Sequence, residues 1–348
     1  MSSDNENLSF IFKKIPDGAP VPGQDVVVQD VGLDAAKLPA DGIVLEMLYS
    51  SLDPYLRGLL RSPEKKSYFP ALPLNGPILS AGIGKVLESN VPNFQAGDLV
   101  QGRLPVQQRV AVSGDLLKGV RKLDTTNGPD DLSTYLGVLG MPGLTAYSSL
   151  YEIGKPQKGE TIFVSSAAGA VGQLVGQLAK HEGLRVIGSV GSDEKLQYIK
   201  SLGFDDGFNY KSEKPLDALK RLAPEGIDIY YENVGGEQLQ AAIECLNKHG
   251  RIVACGMISD YNARDDSERY GVTNLMQVVG KQLTMRGFLV GDADMGPKWA
   301  QEHQEKVRRW LKDGTFKART HVWGIQEADK GFVGMLRGEN LGKAVVKL

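Results

Sequence analysis

The sequence predicts an α/β protein, a doubly wound parallel sheet joined to a second, β-rich domain. Three observations carry this. An apolar run at residues 161–164 feeds a turn of small residues, Ser165-Ser166-Ala167-Ala168-Gly169-Ala170-Val171-Gly172. Behind the turn Val171, Leu174, Val175, Leu178 and Ala179 recur at i, i+3, i+4, i+7 and i+8, the period of a helix. Strand and helix patterns then alternate as far as residue 289, which implies parallel strands with helices on both faces.

Ahead of that unit the chain reads as short strands at 8–12, 26–31, 43–49, 78–87 and 109–112. Pro and Gly punctuate them, at Pro20-Val21-Pro22-Gly23, Asn75-Gly76-Pro77 and Ala96-Gly97-Asp98, a pattern that suggests a small barrel or sandwich. Helical character takes over across 130–150, interrupted by Gly140-Met141-Pro142-Gly143, and the domain boundary falls there. The alternating unit has strands at 161–164, 185–190, 207–210, 227–234, 251–256 and 283–289. Helices are expected at 192–202, 214–222, 236–246 and 299–311, the last closed near Gly314. The tail, 320–348, reads strand, helix, strand, lies outside the alternation and is assigned to the first domain. The division is therefore 1–136 with 312–348, and 137–311.

A chain of 348 residues is long for one core, so two domains are the default. A net charge of −2 gives no electrostatic case for nucleic acid or an anionic membrane. No apolar run is long enough to span a bilayer, and the opening Met1-Ser2-Ser3-Asp4 resembles neither a secretory nor a transit signal. Two cysteines, Cys245 and Cys255, suit a reducing compartment, and the expected location is the cytosol.

The turn at 165–172 sits where a doubly wound sheet holds a pyrophosphate: small residues admit the ligand, and the free N–H groups of the helix start attract it. Of the three glycine positions the first is Ala167, leaving Gly169 and Gly172, so the turn alone also suits any tight strand–helix junction. The second strand decides the cofactor. An acid at its end would bind a ribose 2′-hydroxyl and repel a 2′-phosphate. Here the strand runs into Gly191 and Ser192 instead. Ser192 is placed to cap the next helix, Lys195 falls in its first turn, and Tyr210 ends the following strand. A cation there opposes the helix dipole unless an anion occupies the site, so the reading is NADPH rather than NADH, with a solvated Lys195 as the alternative.

A catalytic zinc wants about three protein N or S ligands. No His or Cys precedes His181, and His249, His303 and His321 are scattered, so no metal is expected. Cys245 and Cys255 read as packing residues.

With these residues in place, the chain resembles the zinc-independent branch of the medium-chain dehydrogenase/reductase superfamily. The nearest group is the NADPH-dependent alkenal/one double-bond reductases, which includes prostaglandin reductases, curcumin reductase and plant double-bond reductases. The motifs span nearly the whole chain: Asp53-Pro54-Tyr55-Leu56-Arg57-Gly58, Gly140-Met141-Pro142-Gly143-Leu144-Thr145, the turn at 167–172, Gly191-Ser192-Asp193-Glu194-Lys195, Tyr231-Glu232-Asn233-Val234-Gly235-Gly236, Cys255-Gly256-Met257-Ile258-Ser259-Asp260-Tyr261 and Gly338-Glu339-Asn340-Leu341-Gly342-Lys343. The resemblance implies a GroES-like β-barrel domain built from both chain ends and a Rossmann domain between. It implies that Gly169, Ala170, Val171 and Gly172 hold the pyrophosphate, and that Lys195 and Tyr210 hold the 2′-phosphate, where the helix start also places the Ser192 hydroxyl. Asn233, Cys255, Gly256, Ile258, Ser259, Tyr261, Phe288, Leu289, Val290 and Asn340 match the remaining cofactor contacts. Tyr55 and Tyr68 match aromatic residues of the substrate pocket, and Arg57 suits an ion pair that anchors its loop.

The implied reaction is hydride addition to the β-carbon of an enal or enone, with Tyr261 as the candidate donor to the enolate oxygen; the tyrosine of this motif hydrogen-bonds either the substrate carbonyl or the nicotinamide ribose. A homodimer is expected by the same resemblance. Two rivals stand beside this reading: a zinc-free NADPH quinone oxidoreductase and a non-catalytic NADPH-binding regulatory protein.

Overall fold

A computed structural model describes residues 6–348. The chain forms two compact units, one holding the residues up to Thr126, Asp130–Leu136 and Thr320–Leu348, the other holding Asn127–Pro129 and Gly137–Arg319.

The first unit begins with β1 (Leu8–Phe12), β2 (Val26–Asp30), β3 (Ile43–Ser51), the single turn α1 (Leu56–Leu59), β4 (Gly76–Pro77), β5 (Leu79–Ser89), β6 (Leu99–Pro105), β7 (Arg109–Val112), the short α2 (Gly114–Lys118) and β8 (Arg121–Lys122). β1 lies between β2 and β4 in a small antiparallel sheet. A larger sheet runs β3-β5-β6-β8, with β7 also on β3. Ile43, Leu45 and Met47 of β3 are buried with Val86, Val100, Val110 and Val112. Gly82 of β5 makes room for this packing: a Cβ there would stand 2.6 Å from the Met47 Cε. β6 escapes the sequence pattern, because Gly102 and Pro105 read as breakers.

The second unit holds α3 (Met141–Ser149), β9 (Thr161–Val164), α4 (Gly172–His181), β10 (Arg185–Val190), α5 (Asp193–Ser201), β11 (Asp206–Asn209), α6 (Pro215–Leu222), β12 (Ile227–Glu232), α7 (Gly236–Cys245), β13 (Leu246–Ala254), α8 (Met276–Gly280), β14 (Thr284–Gly287) and α9 (Gly296–Lys312). Its six strands are all parallel and run β11-β10-β9-β12-β13-β14. The chain works outward from β9 to β11, then returns to β12 on the other side of β9. That reversal is a topological switch point, where sheets of this order bind dinucleotides. Phe163, Ile187, Phe208, Tyr230 and Ile252 lie in one core cluster. The Phe163 and Tyr230 rings stack at 4.9 Å and 9°.

Several element ends shift by a few residues from the sequence reading, and three differences matter most. β13 starts at Leu246, five residues before the expected 251, across a polar stretch in which His249 takes φ 64°. The last strand shrinks to Thr284–Gly287, so Phe288, Leu289 and Val290 belong to the loop after it. Residues 312–319, assigned to the first domain from sequence, stay with the second unit. Side chains hold them there: Gln177 donates to the Lys317 carbonyl and accepts from its N–H, both at 2.8 Å. Gln173 does the same for Arg319, at 3.3 and 3.0 Å.

The chain end then completes the first unit with β15 (Thr320–Gly324), α10 (Ala328–Leu336) and β16 (Lys343–Lys347). β16 pairs with β15 in parallel and with β3 antiparallel, Val345 facing Ser51. Phe10, Phe12, Leu52, Leu56, Phe332 and Val346 share the core so formed. This is the GroES-like element of the fold, and the second unit is its Rossmann element. Among the described residues no helix is long and apolar enough to cross a membrane.

Candidate cofactor and substrate site

The small-residue turn lies at the switch point. The Ser165 N–H donates to the Tyr231 carbonyl of β12 (3.1 Å), and the Ala167 N–H donates to the Ser189 carbonyl of β10 (3.0 Å). Ser166 takes the left-handed backbone, φ 51°, and its carbonyl accepts from the Gly169 N–H at 3.0 Å. Gly172 is obligatory in this geometry, since a Cβ would stand 2.4 Å from the Ser166 carbonyl oxygen. The missing first glycine also has an explanation. Ala167 faces Gly188 of β10, where a Cβ would approach the Ala167 methyl to 2.7 Å. The small residue has moved to the neighbouring strand.

No side chain caps α4, and Gly169, Ala170 and Val171 are half-buried. An uncapped helix start behind small residues fits an anionic pyrophosphate.

At the ends of β10 and β11 the residues read as a phosphate site come together. The Ser192 Oγ caps α5, accepting from the Lys195 N–H at 3.3 Å. A Cβ on Gly191 would lie 3.0 Å from the Tyr210 hydroxyl, so that phenol reaches back over the turn carrying Ser192. Lys195 is half-buried and Tyr210 is exposed. No carboxylate occupies the end of β10, which runs Val190-Gly191-Ser192. This suits a 2′-phosphate better than a ribose hydroxyl.

β12 and β13 supply the other wall. The Asn233 Nδ2 donates to the Ser165 carbonyl (2.7 Å) and its N–H to the Ser165 Oγ (2.9 Å), tying β12 to the turn. The N–H groups of Ile258 and Ser259 donate to the carbonyls of Asn233 (3.2 Å) and Val234 (2.9 Å), and those of Cys255 and Gly256 to Glu232 (3.0 and 3.1 Å). Tyr261 is brought over this segment: a Cβ on Gly256 would stand 2.9 Å from its hydroxyl oxygen. Gly256 leaves room for the phenol to approach the backbone just past the end of β13. The Cys255 thiol is pushed up to about 12 by burial, so it is an inert packing group.

Sequence reasoning passed over Glu232. Its Oε1 accepts from the Tyr230 hydroxyl (2.8 Å) and the N–H groups of Val234 (2.6 Å) and Gly235 (2.8 Å). Burial raises its pKa, opposed by these donors. The side chain fixes the loop that carries Asn233, and its only sequence signal was its place inside a motif.

Tyr55, Tyr68 and Asn340 lie in the first unit. The Tyr55 ring packs on Phe69 at 5.8 Å, and Tyr68 on the same ring at 5.1 Å. Phe69, not singled out from sequence, joins the two expected pocket residues into one aromatic ledge. Burial, then the charge of Asp53, holds the Tyr55 phenol well above its ordinary range. Arg57 is an anchor: its guanidinium donates to the Gly18 carbonyl at 2.6 Å and lies near Asp25. The Asn340 Nδ2 donates to the Gly342 carbonyl at 2.7 Å, ordering its own loop.

A parallel six-stranded sheet with this turn at its switch point defines a dinucleotide-binding unit, here carried with a GroES-like partner. Residues 170–306 match the family of zinc-binding dehydrogenases and residues 9–120 the N-terminal domain of oxidoreductases. The chain is 49% identical to NADP-dependent oxidoreductase RED1 of Cochliobolus heterostrophus, covering 99% of this chain and 98% of the relative. It is 42% identical to the NADP(+)-dependent 2-alkenal reductase of Nicotiana tabacum, covering 99% and 98%. The crystal structure of CurA from Vibrio vulnificus in complex with NADPH superposes with a TM-score of 0.87 at 33% identity, covering 98% of both chains. The chain belongs to the medium-chain dehydrogenase/reductase superfamily. Within it the chain falls in the group of NADP-dependent alkenal and enone reductases. The zinc in the first family's description does not fit the donors present: among the described residues, no group of three or more His, Cys, Asp or Glu could hold a metal ion.

Proposed function

We propose that the protein reduces the carbon–carbon double bond of α,β-unsaturated aldehydes and ketones without a metal. Bound NADPH would supply the hydride, delivered to the β-carbon. The chain's own task is to hold the cofactor and to stabilise the negative charge that gathers on the carbonyl oxygen as the enolate forms. Residues 169–172 take the pyrophosphate, and Ser192, Lys195 and Tyr210 take the 2′-phosphate. Asn233, residues 255–259, residues 288–290 and Asn340 complete the cofactor contacts. Tyr261 donates a hydrogen bond to the developing oxyanion, and Tyr55 and Tyr68 line the pocket. A proton at the α-carbon completes the product.

The observation that carries this reading is the Tyr261 hydroxyl, held over Gly256 beyond the end of β13. A donor fixed there needs no reorganisation as charge develops. The test is steady-state NADPH consumption across enals, enones and quinones. Turnover of enones by the protein supports the reading. Turnover of quinones alone assigns the rival quinone chemistry, and binding of NADPH without consumption assigns a regulatory role.

The unit that makes up the solution form is a homodimer built on the free edge of the parallel sheet. β14 ends that sheet with one side unpaired among the described strands, and Met276 (79% exposed) and Val279 (73%) stand out on α8, the helix just before it in the chain. An open edge strand with apolar neighbours is a template for a second copy. Light scattering reads the mass. A monomer at micromolar concentration refutes the dimer, and Val279→Glu is expected to dissociate it.

A further inference from the structure

Two motifs singled out from sequence have each placed one residue at the proposed site, Tyr55 and Asn340. Each also carries a buried charge. Asp53 and Lys343 pair at 2.9 Å, with side chains 5% and 2% exposed. The Lys343 Nζ also donates to the Leu52 carbonyl at 2.6 Å, and the Ser51 hydroxyl donates to the Asp53 Oδ2. Leu52, Leu56, Ala344 and Val346 belong to the apolar core here.

Such a pair is a poor way to gain stability. Both ions lose their water, and apolar side chains of similar volume are often as stable or more so. What the ion pair does is fix one geometry, and its geometry reaches two places. On one side, Asp53 opens the turn carrying Tyr55: the Leu56 N–H donates to the Asp53 carbonyl at 3.1 Å. The Tyr55 hydroxyl lies near Ser80, whose own hydroxyl donates to the Ser51 carbonyl at 2.6 Å. On the other side, Lys343 follows directly on Gly342 (φ 81°), the residue whose carbonyl holds Asn340.

We propose that the Asp53–Lys343 pair is a positioning device that sets the Tyr55 turn and the Asn340 loop in one fixed relation, touching neither substrate nor cofactor itself. The proposal rests on Tyr55 as a substrate contact and Asn340 as a cofactor contact. It makes Asp53 and Lys343 specificity-determining at one remove, through the shape of the pocket wall.

Removing one charge alone would strand the other in the core, so the test removes both. Asp53→Asn with Lys343→Met keeps an acceptor for Ser51. Thermal unfolding, the NADPH dissociation constant and the ratio of kcat/KM for a bulky aryl enone over a small alkenal are measured for the full chain. The expected result is a melting temperature close to wild type, NADPH affinity weaker by at least fivefold, and the bulky-over-small ratio changed by at least tenfold. Ser51→Ala, which removes only the hydroxyl on Asp53, is expected to move both readouts in the same direction by two- to fivefold and serves if the double variant does not fold. A wild-type ratio and wild-type NADPH affinity in the folded variant overturn the proposal. A lowered melting temperature with both readouts unchanged also overturns it, because the pair would then be structural only. If the wild-type protein turns over no enone or alkenal, the functional reading fails, and NADPH affinity in the same variants still decides whether the pair positions the Asn340 loop.

Discussion

Replacing Lys195 with alanine tests the cofactor assignment at its most specific point. Lys195 stands in the first turn of α5, its N–H on the Ser192 Oγ, just after the Gly191 turn that the Tyr210 hydroxyl approaches. A charge-assisted hydrogen bond to a phosphate is worth about 1.5–3 kcal/mol. Lys195 is half-exposed, which places it near the lower bound, and about 1.4 kcal/mol is a factor of ten in affinity. Lys195→Ala should therefore weaken NADPH roughly tenfold. NADH has no 2′-phosphate, so its weaker binding should be unchanged. Titration of nicotinamide fluorescence with both cofactors, at low and high salt, measures this directly. The NADPH advantage should shrink with salt in the wild type and shrink little in the variant, because the screened contact has gone. Equal losses for the two cofactors, or no loss for NADPH, would refute the phosphate assignment and leave Lys195 a surface lysine.

Tyr261→Phe should lower kcat by ten- to hundredfold and leave NADPH affinity within about twofold, less than the roughly 3–4 kcal/mol seen where an oxyanion donor acts alone. Unchanged kcat would remove Tyr261 from the reaction. Gly188→Ala should destabilise the second unit, since its methyl would meet the Ala167 methyl and the Ile199 Cδ1, each at 2.7 Å, and adding Ala167→Gly should recover part of the melting temperature; additive losses would show that the two sites do not share space. Burial holds the His303 imidazole at about 4, below its ordinary 6.5, with its Nε2 on the Val138 carbonyl at 2.8 Å. Its folded pKa is depressed, so its contribution is complete above about pH 6.5 and is lost as pH falls toward 4, about 3 kcal/mol in all. Urea midpoints of wild type and His303→Gln should converge on acidification, and parallel curves would exclude His303 as the cause of acid lability.

The parallel sheet was legible because its signals are local. An apolar run, a turn and a helical period each lie within about a dozen residues, and their alternation fixes the connection rule. Ser192 as a cap and Lys195 in the first turn were legible for the same reason, since a helix start writes its chemistry into four neighbours. Ala167 was misleading on its own, because its licence is Gly188 on the next strand. β6 was hidden by Gly102 and Pro105, which are tolerated where pairing to β5 and β8 overrides local propensity. Gln173 and Gln177 are polar positions on α4 that the linear reading did not single out. Both are buried and stand in for a strand against residues 317–319, a role that exists only once the chain has returned. Asp53 and Lys343 were named within motifs, yet nothing in a linear reading joins them.

The first unit is finished by residues 320–348, which are made after the whole of the second. β16 takes its place beside β3, and the Lys343 ammonium reaches a carbonyl 291 residues earlier in the chain. At about 5–20 residues per second on the ribosome, β3 waits roughly 15–60 s for that neighbour. The whole second unit emerges in the interval with every partner of its parallel sheet already present. Synthesis thus orders assembly: the inserted unit can close while its host stands open along one strand. A message cut short before residue 343 would yield a finished nucleotide-binding half attached to an unfinished one, with the β3 edge bare for a chaperone or for another nascent chain.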